Sequence, residues 1–263
     1  MTTVTQRKKG TKLTLGTKEW ADHNVNCING CYNDCRYCYA KVIAKRFGRC
    51  TDETWKEMHV QTDKITKSFS KKSGRVMFPS THDIFESAPY KEACFSVLEK
   101  LLSNSNEVLI TTKPRFNIIE QISDQFNRYK SQIQFRFTIT SNNNNLLSFW
   151  EPNAPSYEER LASLQLAFRR GFKTSVSIEP FLDFNPIKLI EEINEYTTES
   201  IWVGRMNYIK RNNLLSEELP YYRAIRRNYS DKRIFEIYNK LYNKPKIRIK
   251  DSITNQLSRA NLI

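Results

Sequence analysis

Short apolar segments alternate along this sequence with longer amphipathic segments, and this alternation limits the fold to a small class. The apolar segments predict strands at 75–78, 107–112, 133–140, 173–178, 200–204 and 245–249. The amphipathic segments predict helices at 36–47, 90–102, 115–129, 156–170, 186–195 and 230–242. Ser156 and Glu159 form a capping-box pattern at the start of one of these helices. Strands that alternate with helices predict an α/β fold with a parallel sheet.

Polar residues follow five of the predicted strands, at the point where each strand ends. These loops span 79–83, 111–113, 140–145, 177–180 and 204–207. The carboxyl ends of parallel strands meet at one edge of a sheet, which is where barrel-like α/β enzymes place their active sites. Loops between strands and helices are generally polar, so the pattern favours an active site here without requiring one.

The amino-acid composition limits the classes of protein to which this sequence can belong. Hydrophobic residues make up 39% of the 263 residues, enough for a sizeable core, and only seven Gly and nine Pro are present. No apolar run approaches the roughly 18 residues of a membrane span, and no apolar stretch of a secretory signal follows the basic start of the chain. We therefore expect a soluble, cytoplasmic protein.

We divide it into a basic lead-in at 1–25, a core at 26–206 and a basic, α-rich C-terminal extension at 207–263.

Positive charge is concentrated near the end of the chain. The formal net charge is +14, and the segment 205–250 holds 13 basic and four acidic residues. Such a field attracts polyanions, and a solvated basic surface is the alternative; we favour nucleic acid because aromatic residues are interleaved with the charge. Seven aromatic residues interleaved with this charge could stack on bases, although each also suits a core position: Tyr208, Tyr221, Tyr222, Tyr229, Phe235, Tyr238 and Tyr242.

Cysteine spacing carries the most specific chemical signal. Four of the six cysteines fall between Cys27 and Cys38, and three of them form the pattern Cys31-x3-Cys35-x2-Cys38. Clustered thiols in a cytosolic protein indicate metal ligands. Iron–sulfur clusters are usually held by four Cys thiolates, so a three-Cys site would leave one iron open to a substrate. The alternative is a structural zinc ion with Cys27 as fourth ligand.

The motif resembles that of radical S-adenosylmethionine (SAM) enzymes, in which an aromatic residue precedes the last Cys and Tyr-Ala follows it. Here these residues are Tyr37, Tyr39 and Ala40. The order of motifs over 26–206 is similar to the spore photoproduct lyase-like branch, also called the spore photolyase family. Those motifs are Phe78-Pro-Ser-Thr-His-Asp-Ile84, Leu109-Ile-Thr-Thr-Lys-Pro114, Phe137-Thr-Ile-Thr140, Trp150-Glu-Pro-Asn-Ala-Pro-Ser-Tyr-Glu-Glu-Arg-Leu161 and Ser177-Ile-Glu-Pro180.

The resemblance implies a partial (β/α)6 TIM-like barrel that holds a site-differentiated [4Fe–4S] cluster and SAM. The cluster would be bound by Cys31, Cys35 and Cys38. Its electron, supplied by a donor such as flavodoxin or ferredoxin, would cleave SAM to a 5′-deoxyadenosyl radical that abstracts hydrogen from a substrate. Cys27 and Cys50 would flank the cluster loop without binding it. We interpret Cys94, on a helix among apolar residues, as a core residue.

The resemblance also implies cofactor contacts at the strand ends. Lys113 would lie near the SAM carboxylate and Thr138 near SAM on the fourth barrel strand. Further candidates around the cofactor are Ser80, Thr81, Ser141 and Arg160, although Arg160 also suits an exposed helix face. As catalytic candidates we take Tyr39, Glu179 and His82. His82 lies in a strand-end loop, where it could serve as an acid, a base or a substrate contact, or be a satisfied structural histidine.

The resemblance places Ser80 where spore photoproduct lyase carries a hydrogen-donating Cys, in the loop after the second strand. An O–H bond is harder to break than an S–H bond, so hydrogen return would need Tyr37, Tyr39 or another donor. We therefore do not predict repair of the spore thymine dimer. No cysteine follows Cys94, which argues against a second cluster.

Three hypotheses about function follow. The first is a radical SAM enzyme that acts on nucleic acid or a nucleotide, in repair or modification. The second is a radical SAM enzyme that modifies a protein or a small metabolite, with the basic segment docking an acidic partner. The third is a non-catalytic module that binds nucleic acid through a zinc or iron–sulfur site.

Overall fold

Seven parallel strands form the main sheet in the computed structural model, which describes residues 16–263. In spatial order they are β1 (His23–Asn24), β4 (Arg75–Phe78), β5 (Glu107–Thr112), β6 (Ile133–Thr138), β7 (Lys173–Ile178), β8 (Ile201–Val203) and β9 (Ile247–Ile249). Every neighbouring pair runs parallel. A separate antiparallel pair joins β2 (Ile28–Asn29) to β3 (His59–Val60). The predicted α/β fold with a partial, TIM-like parallel barrel is confirmed.

Helices follow the strands in chain order, as a parallel sheet requires. They are α1 (Tyr39–Arg46), α2 (Thr62–Thr66), α3 (Ala88–Ser103), α4 (Phe116–Gln125), α5 (Asn144–Trp150), α6 (Tyr157–Arg169), α7 (Ile187–Asn194), α8 (Leu219–Asn228), α9 (Asp231–Leu241) and α10 (Asp251–Arg259). Strands β5 and β6 are buried along nearly their whole length, as expected of strands covered on both faces. No helix within residues 16–263 is long and apolar enough to cross a membrane.

The boundaries of several elements differ from the predicted ones. The strand predicted at 133–140 ends at Thr138, and the helix predicted at 115–129 ends at Gln125, followed by a 3-10 turn, Asn127–Gln132. The capping box of α6 is half formed. Ser156 Oγ accepts a hydrogen bond from Glu159 N at 3.3 Å, but the Glu159 carboxylate accepts one from Phe116 N at 3.0 Å instead of returning to Ser156.

The predicted lead-in and the predicted C-terminal extension each contribute a strand to the main sheet. Strand β1 lies in the predicted lead-in and pairs with β4, and β9 lies in the C-terminal extension and pairs with β8. The predicted divisions at 25/26 and 206/207 stay predictions. Residues 1–15 of the lead-in lie outside the described part of the chain.

Candidate metal and cofactor site

A cavity of about 540 Å³ opens at the carboxyl edge of the main sheet. It is lined by loops that follow β4, β5, β7, β8 and β9 and by the cysteine-rich segment that follows β2. Ten of the twelve predicted site residues line it: Cys31, Cys35, Cys38, Tyr39, Ser80, Thr81, His82, Lys113, Thr138 and Glu179. Ser141 and Arg160 do not. The structure therefore brings together residues that lie up to 148 positions apart in the sequence.

The six cysteines fall into two groups. Cys31, Cys35 and Cys38 line the cavity, whereas Cys27, Cys50 and Cys94 do not. Cys27 Sγ is fully buried and lies 3.9 Å from Cys94 Sγ. Within residues 16–263, no three His, Cys, Asp or Glu side chains are grouped to hold a single ion, and Cys27 does not line the cavity that the other three cysteines of the motif share. The ligands of an iron–sulfur cluster bind separate iron atoms and need no common point of convergence.

The three cavity cysteines are neutral thiols without a bound metal. Burial raises the pKa of Cys35 to about 12 and raises the pKa values of Cys31 and Cys38 as well. A metal that binds these sulfur atoms would therefore displace their protons. Cys38 caps α1, and its Sγ accepts a hydrogen bond from Lys41 N at 3.4 Å. This three-thiol set beside an open cavity fits a cluster with one free iron position.

Lys113 supplies a positive charge next to the thiols. Burial opposes its charged form, but the charges of Cys35 and Glu151 raise its pKa above the ordinary value. Its Nζ lies 5.6 Å from the centre of the Tyr37 ring. A buried ammonium group that stays charged suits a carboxylate or another anion in the cavity.

The loop after β4 is fixed by residues that the sequence analysis did not single out. Asn26 Oδ1 accepts hydrogen bonds from Ser80 N at 2.7 Å and Thr81 N at 2.9 Å, and Asn26 Nδ2 donates to Ser80 Oγ. His82 is buried, and both of its ring nitrogens are used: Nε2 accepts from Cys27 N at 3.2 Å and Nδ1 lies 2.9 Å from the Asp83 carbonyl. Both ring nitrogens of His82 thus contact neighbouring residues of the protein.

Glu179 differs from the other acidic residues of the cavity. Burial raises its pKa to about 7, and its carboxyl group makes no hydrogen bond or ion pair with any other described residue. Gly204 leaves it space, since a Cβ there would lie 2.9 Å from Glu179 Cδ. A carboxyl group that titrates near neutral pH is suited to proton transfer.

Ser141 and Arg160 do not line the cavity and contact other residues of the protein instead. Ser141 Oγ donates to Asp183 Oδ1 at 2.6 Å. Arg160 is fully buried, so its interpretation as an exposed charge is wrong; its Nη2 lies 2.5 Å from Glu151 Oε2. Its Nε also donates to the Pro155 carbonyl at 2.9 Å. Direct contact of either residue with a ligand in the cavity is not supported by this placement.

Residues 16–193 match a family of proteins of unknown function, DUF5131. The chain belongs to this family. The uncharacterized protein ORF301 of Acidianus two-tailed virus is 29% identical over 187 residues, covering 67% of this chain and 60% of that protein. The uncharacterized protein MJ0683 of Methanocaldococcus jannaschii is 26% identical over 165 residues, covering 62% and 61%. The chain thus spans about three fifths of the length of these relatives.

A solved structure confirms the fold to which the sequence motifs pointed. A variant of spore photoproduct lyase, solved with bound S-adenosylmethionine and dinucleoside spore photoproduct, superposes on this DUF5131 member with a TM-score of 0.51. The two are 17% identical, and the match covers 80% of this chain and 61% of the lyase chain. At this identity the likeness establishes the fold of the barrel.

The basic segment of this DUF5131 member, residues 205–250, contains both buried and exposed side chains. Of the seven aromatic residues noted above, only Tyr208 and Tyr242 are well exposed, at 40% and 55%. Tyr222 and Tyr229 are buried, which confirms their interpretation as core residues. Helix α8 turns three arginines to solvent, Arg223, Arg226 and Arg227. Arg226 Nη2 donates to the Lys210 carbonyl at 2.6 Å, which joins this helix to the loop that carries Tyr208 to the cavity.

Proposed function

We propose that this chain is a radical SAM enzyme that holds a [4Fe–4S] cluster through Cys31, Cys35 and Cys38. The sorting of the cysteines carries the proposal: the three in the Cys-x3-Cys-x2-Cys motif line the cavity and the other three do not. The fold shared with spore photoproduct lyase supports the same assignment. With SAM, such a cluster supplies a 5′-deoxyadenosyl radical that abstracts hydrogen from a substrate.

The other cavity residues would bind SAM and handle protons. The Lys113 ammonium would pair with the SAM carboxylate, and Thr138, Ser80 and Thr81 would donate or accept hydrogen bonds around it. Glu179 would hold or release a proton, and the Tyr39 phenol, which donates to the Ser80 carbonyl, lies at the same wall. His82 would keep the loop after β4 in place. A low-potential carrier such as flavodoxin or ferredoxin would supply the electron.

Anaerobic reconstitution tests the cofactor assignment. The protein is loaded with iron and sulfide, given SAM and dithionite, and assayed for 5′-deoxyadenosine by mass spectrometry. We expect product from the wild type and none from Cys31→Ala, Cys35→Ala or Cys38→Ala. Cys50→Ala is the matched control, because that cysteine does not line the cavity, and it should keep activity. Tight zinc without iron or sulfide would instead identify a non-catalytic metal-binding module.

We further propose that the substrate is nucleic acid or a nucleotide. The net charge of +14 and the three exposed arginines of α8 provide the electrostatic attraction. Arg223 and Arg227 form no ion pair with any other residue of 16–263, so their charge is free to meet phosphate. The spore photoproduct lyase neighbour was solved with a dinucleoside spore photoproduct, which favours the same substrate class.

Charge reversal on α8 tests the substrate class. Binding of a short DNA or RNA oligonucleotide should weaken steeply with salt, and Arg223→Glu with Arg227→Glu should reduce both the affinity and the slope. Arg169→Glu with Lys173→Glu is the matched control, because it changes the net charge by the same amount and both residues are exposed at the opposite end, Arg169 at the end of α6 and Lys173 at the amino end of β7. Affinity that does not change with salt would contradict nucleic acid. A nuclease-insensitive acidic protein retained by the same arginines would favour a protein substrate.

A further inference from the structure

Two buried carboxylates hold the loop that carries the three cysteines. The first is Asp83, at the end of the loop after β4. Its Oδ2 accepts hydrogen bonds from Asn33 Nδ2 at 2.7 Å and from Lys113 N at 3.0 Å. Its Oδ1 accepts from Ile84 N at 2.9 Å and from the Thr112 hydroxyl. Asp83 therefore joins the cysteine loop to the end of β5.

The second carboxylate is Glu151, which follows α5 and is also buried. Its Oε1 accepts from the Tyr37 hydroxyl and from Thr140 Oγ1, the latter at 2.7 Å. Its Oε2 pairs with Arg160. Although burial disfavours its charged form, Arg160 and Lys113 hold its pKa below the ordinary value. Glu151 therefore joins the cysteine loop to the end of β6 and to α6.

The two carboxylates contact the cysteine loop at two separate positions, one in each interval between successive cysteines. Asn33 lies between Cys31 and Cys35, and Tyr37 lies between Cys35 and Cys38. Each interval between successive cysteines is thus attached to a different strand end. We propose that Asp83 and Glu151 are positioning residues that fix the spacing of the three thiols before a cluster binds. This inference rests on the proposed cluster site.

Core packing alone does not account for these carboxylates. Burying an ionised carboxylate is costly, and apolar residues of similar volume often serve a core as well or better. The cost is higher beside three sulfur atoms that become anionic when they bind metal. A carboxylate offers what an apolar side chain does not, because its oxygens accept several hydrogen bonds and join separate segments at once. Contacts to the metal ligands themselves typically change metal affinity by about 10- to 100-fold, and contacts to the residues between the ligands act on the same spacing.

The test removes hydrogen-bond donors and leaves both carboxylates in place; Tyr37→Phe removes a donor alone, whereas Asn33→Ala also removes the acceptor of a hydrogen bond from Arg115 Nη2 at 2.8 Å. Asn33→Ala and Tyr37→Phe remove the donors on the loop side. Thr112→Val and Thr140→Val are matched controls, because they remove donors to the same carboxylates from the barrel side. Each variant is reconstituted anaerobically, and the rate of iron release to a chelator is followed by absorbance. Thermal melting without metal measures the stability of each fold.

We expect about tenfold or faster iron release from Asn33→Ala and Tyr37→Phe, with melting temperatures without metal close to those of the matched controls. Release near the wild-type rate from both loop variants would overturn the inference. So would equally fast release from the Thr140→Val and Thr112→Val controls, since the carboxylates would then act only in general packing. A wild type that takes up no iron and sulfide would instead contradict the proposed function itself.

Discussion

At the scale of single residues, the most deeply buried ion pair among residues 16–263 joins Arg160 to Glu151. Both side chains are fully buried, and the atoms that face each other are 2.5 Å apart. Removing one member of such a pair leaves a buried charge without its direct partner, which costs about 3–5 kcal/mol. An ion pair on the surface contributes little by comparison.

We therefore expect Arg160→Ala to lower the free energy of unfolding by about 3–5 kcal/mol in urea denaturation. Lys188→Ala is the control, because Lys188 is exposed and lies 4.0 Å from Glu192, and it should change stability by less than about 1 kcal/mol. A loss for Arg160→Ala no larger than that of the control would show that the pair contributes no more than a surface one.

Glu179 gives a second residue-scale prediction, on pH. Its pKa rises from about 4.5 to about 7 on folding, so the native state binds its proton more tightly than the unfolded state does. The stability that this carboxyl contributes is present below its unfolded pKa and is lost as pH rises towards 7. Glu179→Gln should therefore stabilise the protein by up to about 3 kcal/mol at pH 8 and change it little at pH 4. Urea denaturation at both pH values measures this, and an equal effect at both would contradict it.

Residue types and spacing predicted the cavity residues better than their individual roles. Ten of twelve candidates line the cavity because each follows a strand end or lies in the cysteine loop, and parallel strands bring those points together. For Arg160 the sequence left a place near the cofactor and a place on an exposed helix face both open, because it does not show which way a long side chain of α6 points; the structure excludes the exposed place. Glu151 was missed as a site residue because its role depends on Tyr37 and Arg160, which meet it only in the folded chain.

At the scale of elements, regular periodicity was sufficient for the strands of the barrel. Strands β4, β5 and β7 have the predicted bounds, since β-branched and apolar residues stop abruptly at polar loops. Helix α5 was not predicted, because it begins in a run of four Asn that indicates a loop. Asn143 caps this helix by accepting from Asn145 N at 2.9 Å, a contact that composition does not reveal.

The β2–β3 pair carries an element-scale prediction at Gly30, which precedes the first cavity cysteine. Its φ is +83°, and a Cβ would lie 2.7 Å from the Trp55 carbonyl oxygen. Gly30→Ala should cost about 1–2 kcal/mol for the backbone conformation alone, and more for the clash. Gly48→Ala, at φ +63° with open space around it, should cost only the conformational part. Urea denaturation of both variants tests this, and equal losses would show that the β2–β3 pair moves aside freely.

At the scale of the whole molecule, a half-barrel leaves two sheet edges, β1 and β9, that must be protected. The segment from Gly16 to Asp22 connects them. At one end Gly16 N donates to Asp251 Oδ2 at 3.0 Å and the Gly16 carbonyl accepts from Lys250 Nζ at 2.9 Å. At the other end Asp22 Oδ2 accepts from Arg75 N at 3.0 Å.

Trp20 is the central side chain of this connection. Its ring meets Trp202 edge to face at 5.9 Å between centroids, and the Arg136 guanidinium and the Lys250 ammonium lie 4.8 and 4.9 Å from it. The ring thus contacts residues of β6, β8 and the segment after β9 at once. These contacts join the segment before β1 to β8 and to the residue after β9. Losing them should therefore affect both edges of the sheet.

We expect Trp20→Ala to lower the free energy of unfolding by about 3 kcal/mol and to speed amide hydrogen exchange in β1 and β9 together. Trp55→Ala is the matched control, because Trp55 is a buried tryptophan beside the β2–β3 pair and does not bridge the edges. It should speed exchange near β2 and β3 while β9 stays protected. If β9 stays protected in Trp20→Ala as well, the edges are held independently, and the segment 16–22 only covers the cavity. If both edges exchange together, the barrel is a single cooperative unit that the beginning of the described chain completes.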